Sequence, residues 1–350
     1  MSGDPLDELR EWLDAHWDPA MTLRAWWAGL GTSGWAYPHY PTDWFGRGLP
    51  AAVAGAASRL IRDAGAVPAP VGFGPNMAAP TVLDHGTDEQ RRRILPGIVR
   101  GEDAYCQLFS EPNAGSDLAG LQCRAELDGD TYIVNGQKVW TSGAQIANKA
   151  MLLARTDIDV PKHAGLSYFI VDLDQPGVLI RPIREMTGRA PFNEVFLTDV
   201  RVPAADLIGG AGSGWAVANT TLAYERGRRS TGAVPPHVQP GRIAGHLGRA
   251  AGDCAVAADE GDRGIPPPTP AARLVDVARR LGREGDAVVR QGLARLHSQE
   301  RIVDLTARRA RDLAEAGQEL PGFPQLSKMA RNHQVRLSRQ VTFDVLRELG

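Results

Sequence analysis

The chain has 350 residues, 43% of them apolar, with 39 basic against 41 acidic side chains and a formal charge of -2. That length calls for two or three packed units rather than one core, and the balanced, scattered charge leaves no excess to hold a polyphosphate backbone, which excludes nucleic acid as an expected partner. The opening MSGDPLDELREWLD is acidic where a signal peptide is basic and then apolar, and no run is long enough to span a bilayer, so a cytoplasmic protein is expected.

Along the first hundred residues the periodicity predicts helices. Leu6, Leu9 and Leu13 recur at helical spacing in DPLDELREWLDAHW, DEQRRRILPGIV begins with acids as a helix does, and the Trp-rich stretch with Trp26, Trp27, Trp35 and Trp44 reads as packing. GLGTSG, Gly29 to Gly34, satisfies G-x-G-x-x-G. It follows a helical segment and precedes WAYPHYP, which cannot begin a helix, so a dinucleotide site is rejected there.

After Tyr105 the period shortens to two. Leu121, Cys123, Ala125 and Leu127 alternate, a turn is expected at Asp128 to Asp130, Tyr132 and Val134 resume, and Asn135-Gly136 predicts a second hairpin turn. Further strands are expected in KAMLLART, GLSYFIVDL, GVLIRPI and NEVFLTDVRV, making a small barrel or sandwich that ends near Pro203. From Gly214 helices return, with Trp215, Ala218 and Leu222 on one face, followed by LVDVARRL, RIVDLTARRARDLAEAG and QLSKMARNHQVRLSRQVTFDVLREL. Between them, near 231–270, Gly, Ala, Pro and Arg dominate, and a disordered insertion or hinge is expected. Cys106, Cys123 and Cys254 are odd in number and far apart, so they read as free thiols, with neither a disulfide framework nor a metal site.

Two stretches carry the chemistry. In QLFSEPNAGSD, Ser110-Glu111-Pro112 precedes a loop of small residues, entering the barrel where the helical part ends, whose backbone N–H groups could face an anionic or polar ligand, although a proline-terminated connection fits the same residues. Some two dozen residues on, NGQKVWTSGA sets the flat ring of Trp140 beside the hydroxyls of Thr141 and Ser142, an arrangement suited to a flavin ring. No Walker loop, HExxH or GxSxG occurs, which lowers the case for nucleotide hydrolysis, zinc proteolysis and α/β-hydrolase chemistry.

Taken together, LFSEPNAGSDLAGLQ, VNGQKVWTSGAQ, NEVFLTDVRVP and HGTDEQRRRILPGI resemble the acyl-CoA dehydrogenases, particularly actinobacterial-type members acting on fatty or steroid-derived acyl-CoA thioesters. The resemblance is continuous over about residues 1 to 230 and weaker from about 275 to 350. It implies an α+β multidomain fold with an N-terminal helical domain (1–104), a central β-barrel domain (105–210) and a C-terminal helical bundle (211–350), incomplete here and carrying the insertion. It further implies FAD as cofactor, α,β-dehydrogenation of an acyl-CoA to a trans-2-enoyl-CoA, and an electron-transfer flavoprotein as electron acceptor. A homodimer or homotetramer, or a heteromeric assembly, is implied as well.

Carried over by residue, Gln107, Leu108, Phe109, Ser110, Gly115, Ser116, Trp140, Thr141 and Ser142 would line the flavin, with Ser116 also near the CoA arm. Tyr224, Glu225 and Arg226 would line the substrate. Most members place the catalytic glutamate in a Gly-Thr-rich motif lying beyond the point where this chain stops, which suggests a truncated chain. A minority carry it at the position matched by Glu225, the candidate base here, whose pair with Arg226 is structural in other members. Glu111 belongs to the flavin-side loop and is the less suited acid. Two other readings stand beside this one: a non-catalytic partner subunit of a heteromeric dehydrogenase, and an oxidase or flavin monooxygenase on the same scaffold.

Overall fold

The computed structural model describes residues 4–227, 238–255, 269–318 and 320–347, which fall into two compact units, 1–258 and 259–350. The first begins with helices. Asp4 caps α1 (Pro5–His16), Pro5 occupies its first turn, and Leu9 and Leu13 are buried from it. Helix α2 (Leu23–Thr32) buries Trp26 and Trp27, and their indole N–H groups donate to the carbonyls of Val67 at 2.6 Å and Pro68 at 2.9 Å. Two bulky rings are thus buried without stranding a donor. Helix α3 (Ala51–Asp63) follows, then one π turn (Gly74–Ala78) running into α4 (Ala79–His85), then α5 (Asp88–Val99). Thr87 and Gln90 close a reciprocal capping box at the start of α5, the reason DEQRRR begins a helix there. The GLGTSG stretch is the end of α2, where Gly31 lets the helix approach Val99: a Cβ there would lie 2.8 Å from the Val99 carbonyl oxygen.

Eight strands follow: β1 (Tyr105–Leu108), β2 (Arg124–Asp128), β3 (Thr131–Ser142), β4 (Lys149–Arg155), β5 (Leu166–Asp172), β6 (Val178–Ile183), β7 (Phe192–Pro203) and β8 (Leu207–Ile208). They form one sheet in the order β6-β7-β3-β2-β4-β5-β8, with β1 pairing parallel to β4. The path has two free ends, so the expected closed barrel is corrected to an open sheet. One face packs on itself through Cys106, Leu108, Val134, Leu152, Phe169, Val195 and Val200, which requires the sheet to curl. The other face of β4 and β5 presents Met151, Leu153, Tyr168 and Ile170 to helices α4 and α5 and to Val217 and Ala218 of α6 (Gly214–Gly227). Period-two alternation divides these strands between two cores.

Two further expectations are overturned. Asn135-Gly136 is no hairpin turn, because β3 runs through it from Thr131 to Ser142 with a register shift between Val134 and Gly136. Neither residue has positive φ, as a type I′ turn would need. Glycine is required instead by close approach, since a Cβ would lie 2.7 Å from the Cβ and Sγ of Cys123. Nor is the 231–270 stretch structureless throughout. Residues 231–237 and 256–268 lie outside the described residues, but 238–255 dock on the Trp-rich core and bury Val238, Leu247, Ala251 and Cys254, with α7 (Ala251–Cys254) as one short turn. Backbone bonds tie this strap down, from Leu23 N–H to the Arg249 carbonyl at 2.9 Å and from Ala251 N–H to the Met21 carbonyl at 2.8 Å. Helix α6 and the strap therefore belong to the first unit.

The second unit holds α8 (Pro270–Arg280), α9 (Ala287–Glu315) and α10 (Phe323–Leu346) around Ala271, Ala278, Val289, Leu296, Val341 and Val345. Glu300 of α9 accepts from the Ala271 N–H at 2.9 Å, satisfying a donor in the first turn of α8. Among the described residues no helix is long and apolar enough to cross a membrane.

Candidate active site

The sheet brings the two chemistry-bearing stretches together. Chain leaving β1 passes beside β3, where the Val139 N–H donates to the Ser110 carbonyl at 2.9 Å. The two segments read in sequence as one wall are thus neighbours. Within the first, Gln107 is half-buried and its side-chain amide nitrogen has no hydrogen-bond partner among the described residues. Leu108 lies wholly in the sheet's own core, and Phe109 packs edge-on against Tyr168 at 5.9 Å, so these two offer a ligand their backbone rather than their side chains. Ser110 is half-buried, while Gly115 and Ser116 stand exposed in the turn that follows the Glu111–Ala114 bridge.

The second segment is distorted. Pairing with β7 slips between Lys138 and Thr141, and at this bulge Trp140 takes φ of 60°, a region that bulky side chains seldom enter. Its ring is 59% exposed and meets Phe192 edge-on at 5.8 Å. The bulge aims an aromatic face outward from a strand that would otherwise have turned it elsewhere. Thr141 beside it is buried; its carbonyl accepts from the Asn193 side chain at 3.0 Å, but its Oγ1 has no partner among the described residues. Ser142 is half-buried opposite Phe192. Buried polar atoms without partners are rare in native proteins, and here two fall within the two stretches expected to meet a flavin. This site therefore fits a planar polar ring: Trp140 to pack on it, and Gln107, Ser110, Thr141 and Ser142 to hydrogen-bond it.

Beneath the wall lies a pair that the sequence reading did not single out. Lys138 is 0% exposed, and its ammonium donates to the Glu111 carboxylate at 2.8 Å, the Leu153 carbonyl at 2.8 Å and the Phe109 carbonyl at 3.1 Å. Glu111 also accepts from the Gln122 N–H at 2.7 Å and the Cys123 N–H at 2.9 Å. Its oxygens are committed to holding the loop. One signal was available: Tyr132, Val134, Gly136 and Lys138 share a strand parity whose apolar members point inward, so a charge in that row needed a buried partner. Nearby, burial pushes the Cys123 thiol up to about 11 against the opposing charge of Lys138, and burial pushes Cys106 up to about 12 against a weaker opposing backbone hydrogen bond.

The residues expected to line the substrate sit on α6. Thr81 of α4 bonds Thr221 at 2.9 Å, Thr221 donates to the Tyr168 hydroxyl at 3.1 Å, and His85 bonds Thr220 at 2.8 Å, so a polar seam fixes α6 against α4 and β5. Burial moves the Tyr168 phenol well upward, opposed by its bonds with Thr221 and Thr81, so it stays protonated. Tyr224 continues the seam, donating to Asp84 at 2.8 Å. Glu225 is exposed one residue further on, and the side chain of Arg226 lies outside the described residues.

Comparison with known proteins agrees with this layout. Residues 6–102 match the acyl-CoA dehydrogenase N-terminal domain and residues 106–200 the middle domain. The acyl-CoA dehydrogenase IpdE1 of Mycolicibacterium smegmatis is 36% identical over 332 residues, 92% of this chain and 76% of that one. In Mycobacterium tuberculosis, acyl-CoA dehydrogenase FadE34 is 47% identical over 208 residues and IpdE1 46% identical over 209 residues. This chain spans 28% and 54% of their respective lengths. Among solved structures, the ChsE4-ChsE5 complex of Mycobacterium tuberculosis superposes with a TM-score of 0.66 at 27% identity, covering 99% of this chain and 86% of that one. The Tcur3481-Tcur3483 steroid ACAD gives 0.66 at 25% identity, covering 97% and 83%. With both family domains matched in order and a relative aligned over 92% of this chain, the chain belongs to the acyl-CoA dehydrogenase family.

Proposed function

We propose that the protein is an FAD-dependent acyl-CoA dehydrogenase, acting on an acyl-CoA from fatty acid or steroid side-chain breakdown and passing electrons to an electron-transfer flavoprotein. The observation that carries this reading is the wall itself: an outward indole at a strained bulge, bonded through its neighbour to Ser110, with unpartnered buried polar atoms on Thr141 and Gln107. When bound, FAD supplies the acceptor for the hydride that leaves the substrate β-carbon. Trp140 packs on the ring and keeps water from it, while Ser110, Thr141 and Ser142 hold its polar edge. Gly115 and Ser116, exposed beyond the Glu111 turn, would border the cofactor, with Ser116 also reaching the CoA arm. On the substrate side, Glu225 takes the α-proton onto its carboxylate, and the seam that anchors Tyr224 to Asp84 fixes the helix turn from which Glu225 projects.

Anaerobic addition of acyl-CoA to the yellow protein tests the reading: the flavin absorbance should bleach, and Glu225→Gln should retain the colour and lose the bleaching. Bleaching at wild-type rate in Glu225→Gln would remove that residue from the role of base. A second reading, one subunit of a heteromeric dehydrogenase, is favoured by the two-component names of the ChsE4-ChsE5 and Tcur3481-Tcur3483 neighbours. It expects bleaching only after a homologous subunit is added.

A further inference from the structure

The charges buried under the flavin wall take no part in the reaction proposed above. Lys138 is completely enclosed, and its three N–H donors meet three acceptors: Glu111, Phe109 and Leu153. Glu111 adds the N–H groups of Gln122 and Cys123, so one ion pair joins the end of β1, the loop before β2, β3 and β4. Cohesion accounts for part of this, because the pair also satisfies the N–H groups of Gln122 and Cys123 and the carbonyls of Phe109 and Leu153, but a buried ion pair is by itself weak evidence for stability. What charges add is direction. An ammonium with three fixed acceptors admits one placement of Lys138, and two residues later the backbone must hold Trp140 at φ of 60°. Such strain persists only where neighbouring contacts over-determine it. Here they are the Val139 bond to Ser110 before the ring, the Asn193 bond to the Thr141 carbonyl after it, and Lys138 anchoring the strand at the bulge.

We propose that Lys138 and Glu111 form a positioning pair that holds Ser110 and Trp140 in the single arrangement able to receive the flavin, an inference that rests on the flavin reading above. The pair acts through those two residues and touches neither ring nor substrate.

The test compares wild type with Lys138→Met/Glu111→Leu, which leaves no unpaired charge, although the N–H groups of Gln122 and Cys123 lose their acceptor and some stability is lost with it. Three quantities are measured on the full chain: the thermal midpoint, amide hydrogen exchange at Val139 without FAD, and FAD affinity by calorimetry. Expected are a preserved cooperative transition, exchange at Val139 faster by about tenfold or more, and FAD affinity weaker by about tenfold. Wild-type exchange at Val139, or wild-type FAD affinity, in the double variant overturns the proposal. If the double variant does not fold, Lys138→Arg carries the test, because its planar guanidinium keeps the charge but cannot meet all three acceptors in the same geometry. The same two shifts are expected in it, and their absence overturns the proposal. Wild-type protein that takes up no FAD refutes the flavin reading instead. In that case the exchange measurement, which needs no cofactor, still decides whether the pair holds the wall.

Discussion

Replacing Trp140 separates its functional role from its backbone. Both Trp140→Gly and Trp140→Ala delete the ring, so the loss of its partial burial and of the Phe192 contact is common to both and cancels in their difference. What remains is φ of 60°, at which a Cβ costs about 1–2 kcal/mol and glycine nothing. Against this, glycine loses about 0.5–1 kcal/mol more chain entropy than alanine on folding. The balance favours Trp140→Gly by about 0.75 kcal/mol at the midpoints of these ranges, with extremes of about 0 and 1.5 kcal/mol, reversing the order usual within a strand. In a unit of this size the gap corresponds to roughly 1–4 °C in thermal midpoint. Scanning calorimetry on FAD-free protein measures it, and both variants should have weakened FAD binding. An alanine variant as stable as the glycine variant, or more so, would refute the strained bulge and with it the reason given for the ring's outward aim.

Other consequences follow from the same contacts. Glu111→Gln turns an amide N–H₂ toward the N–H groups of Gln122 or Cys123 and leaves Lys138 without a counter-charge, so denaturant unfolding should show a loss of about 3–5 kcal/mol. Gly136→Ala places a methyl group 2.7 Å from Cys123 and should cost roughly 1–3 kcal/mol in the same assay. Burial holds the Cys106 and Cys123 thiols protonated until about pH 12 and 11, so neither should react with a thiol reagent at pH 8 in the native state, and both should react on unfolding. Fast native labelling at either position would contradict the packing around β1 and Gly136.

Most of the architecture was legible because the patterns were local. Leu9 and Leu13, the Thr87 cap and the alternation in β4 and β5 each state their own structure. What escaped depends on partners distant in the chain. Asn135-Gly136 carries turn residues, yet Asn135 bonds Asp199 on β7 at 3.0 Å and the strand continues, which no window around residue 135 reveals. The strap at 238–255 has loop composition, but four apolar residues spaced across it find the Trp core. Sheet closure was over-read because counting strands says nothing of whether the end strands meet. At the site, family motifs indicated the wall, whereas the Lys138–Glu111 pair beneath it required knowing that β3 passes beside the end of β1.

Two glutamates, alike in intrinsic chemistry, end in opposite environments, and the contrast says what a base requires here. Glu111 is shielded from water, but its oxygens already accept from an ammonium and two backbone N–H groups, so taking a proton would break the contacts that hold its loop. Glu225 is exposed and has no hydrogen-bond partner among the described residues, yet a carboxylate solvated by water is poorly matched to a weakly acidic α-proton. Freedom and dehydration must coincide. In the function proposed above, an acyl group docking beside the last turn of α6 would supply the missing half, since its apolar bulk would displace water from a residue that is otherwise exposed. In that proposal the contact that selects the acyl chain also excludes water from Glu225, and a short acyl thioester, leaving the carboxylate wet, is expected to turn over slowly even when it binds.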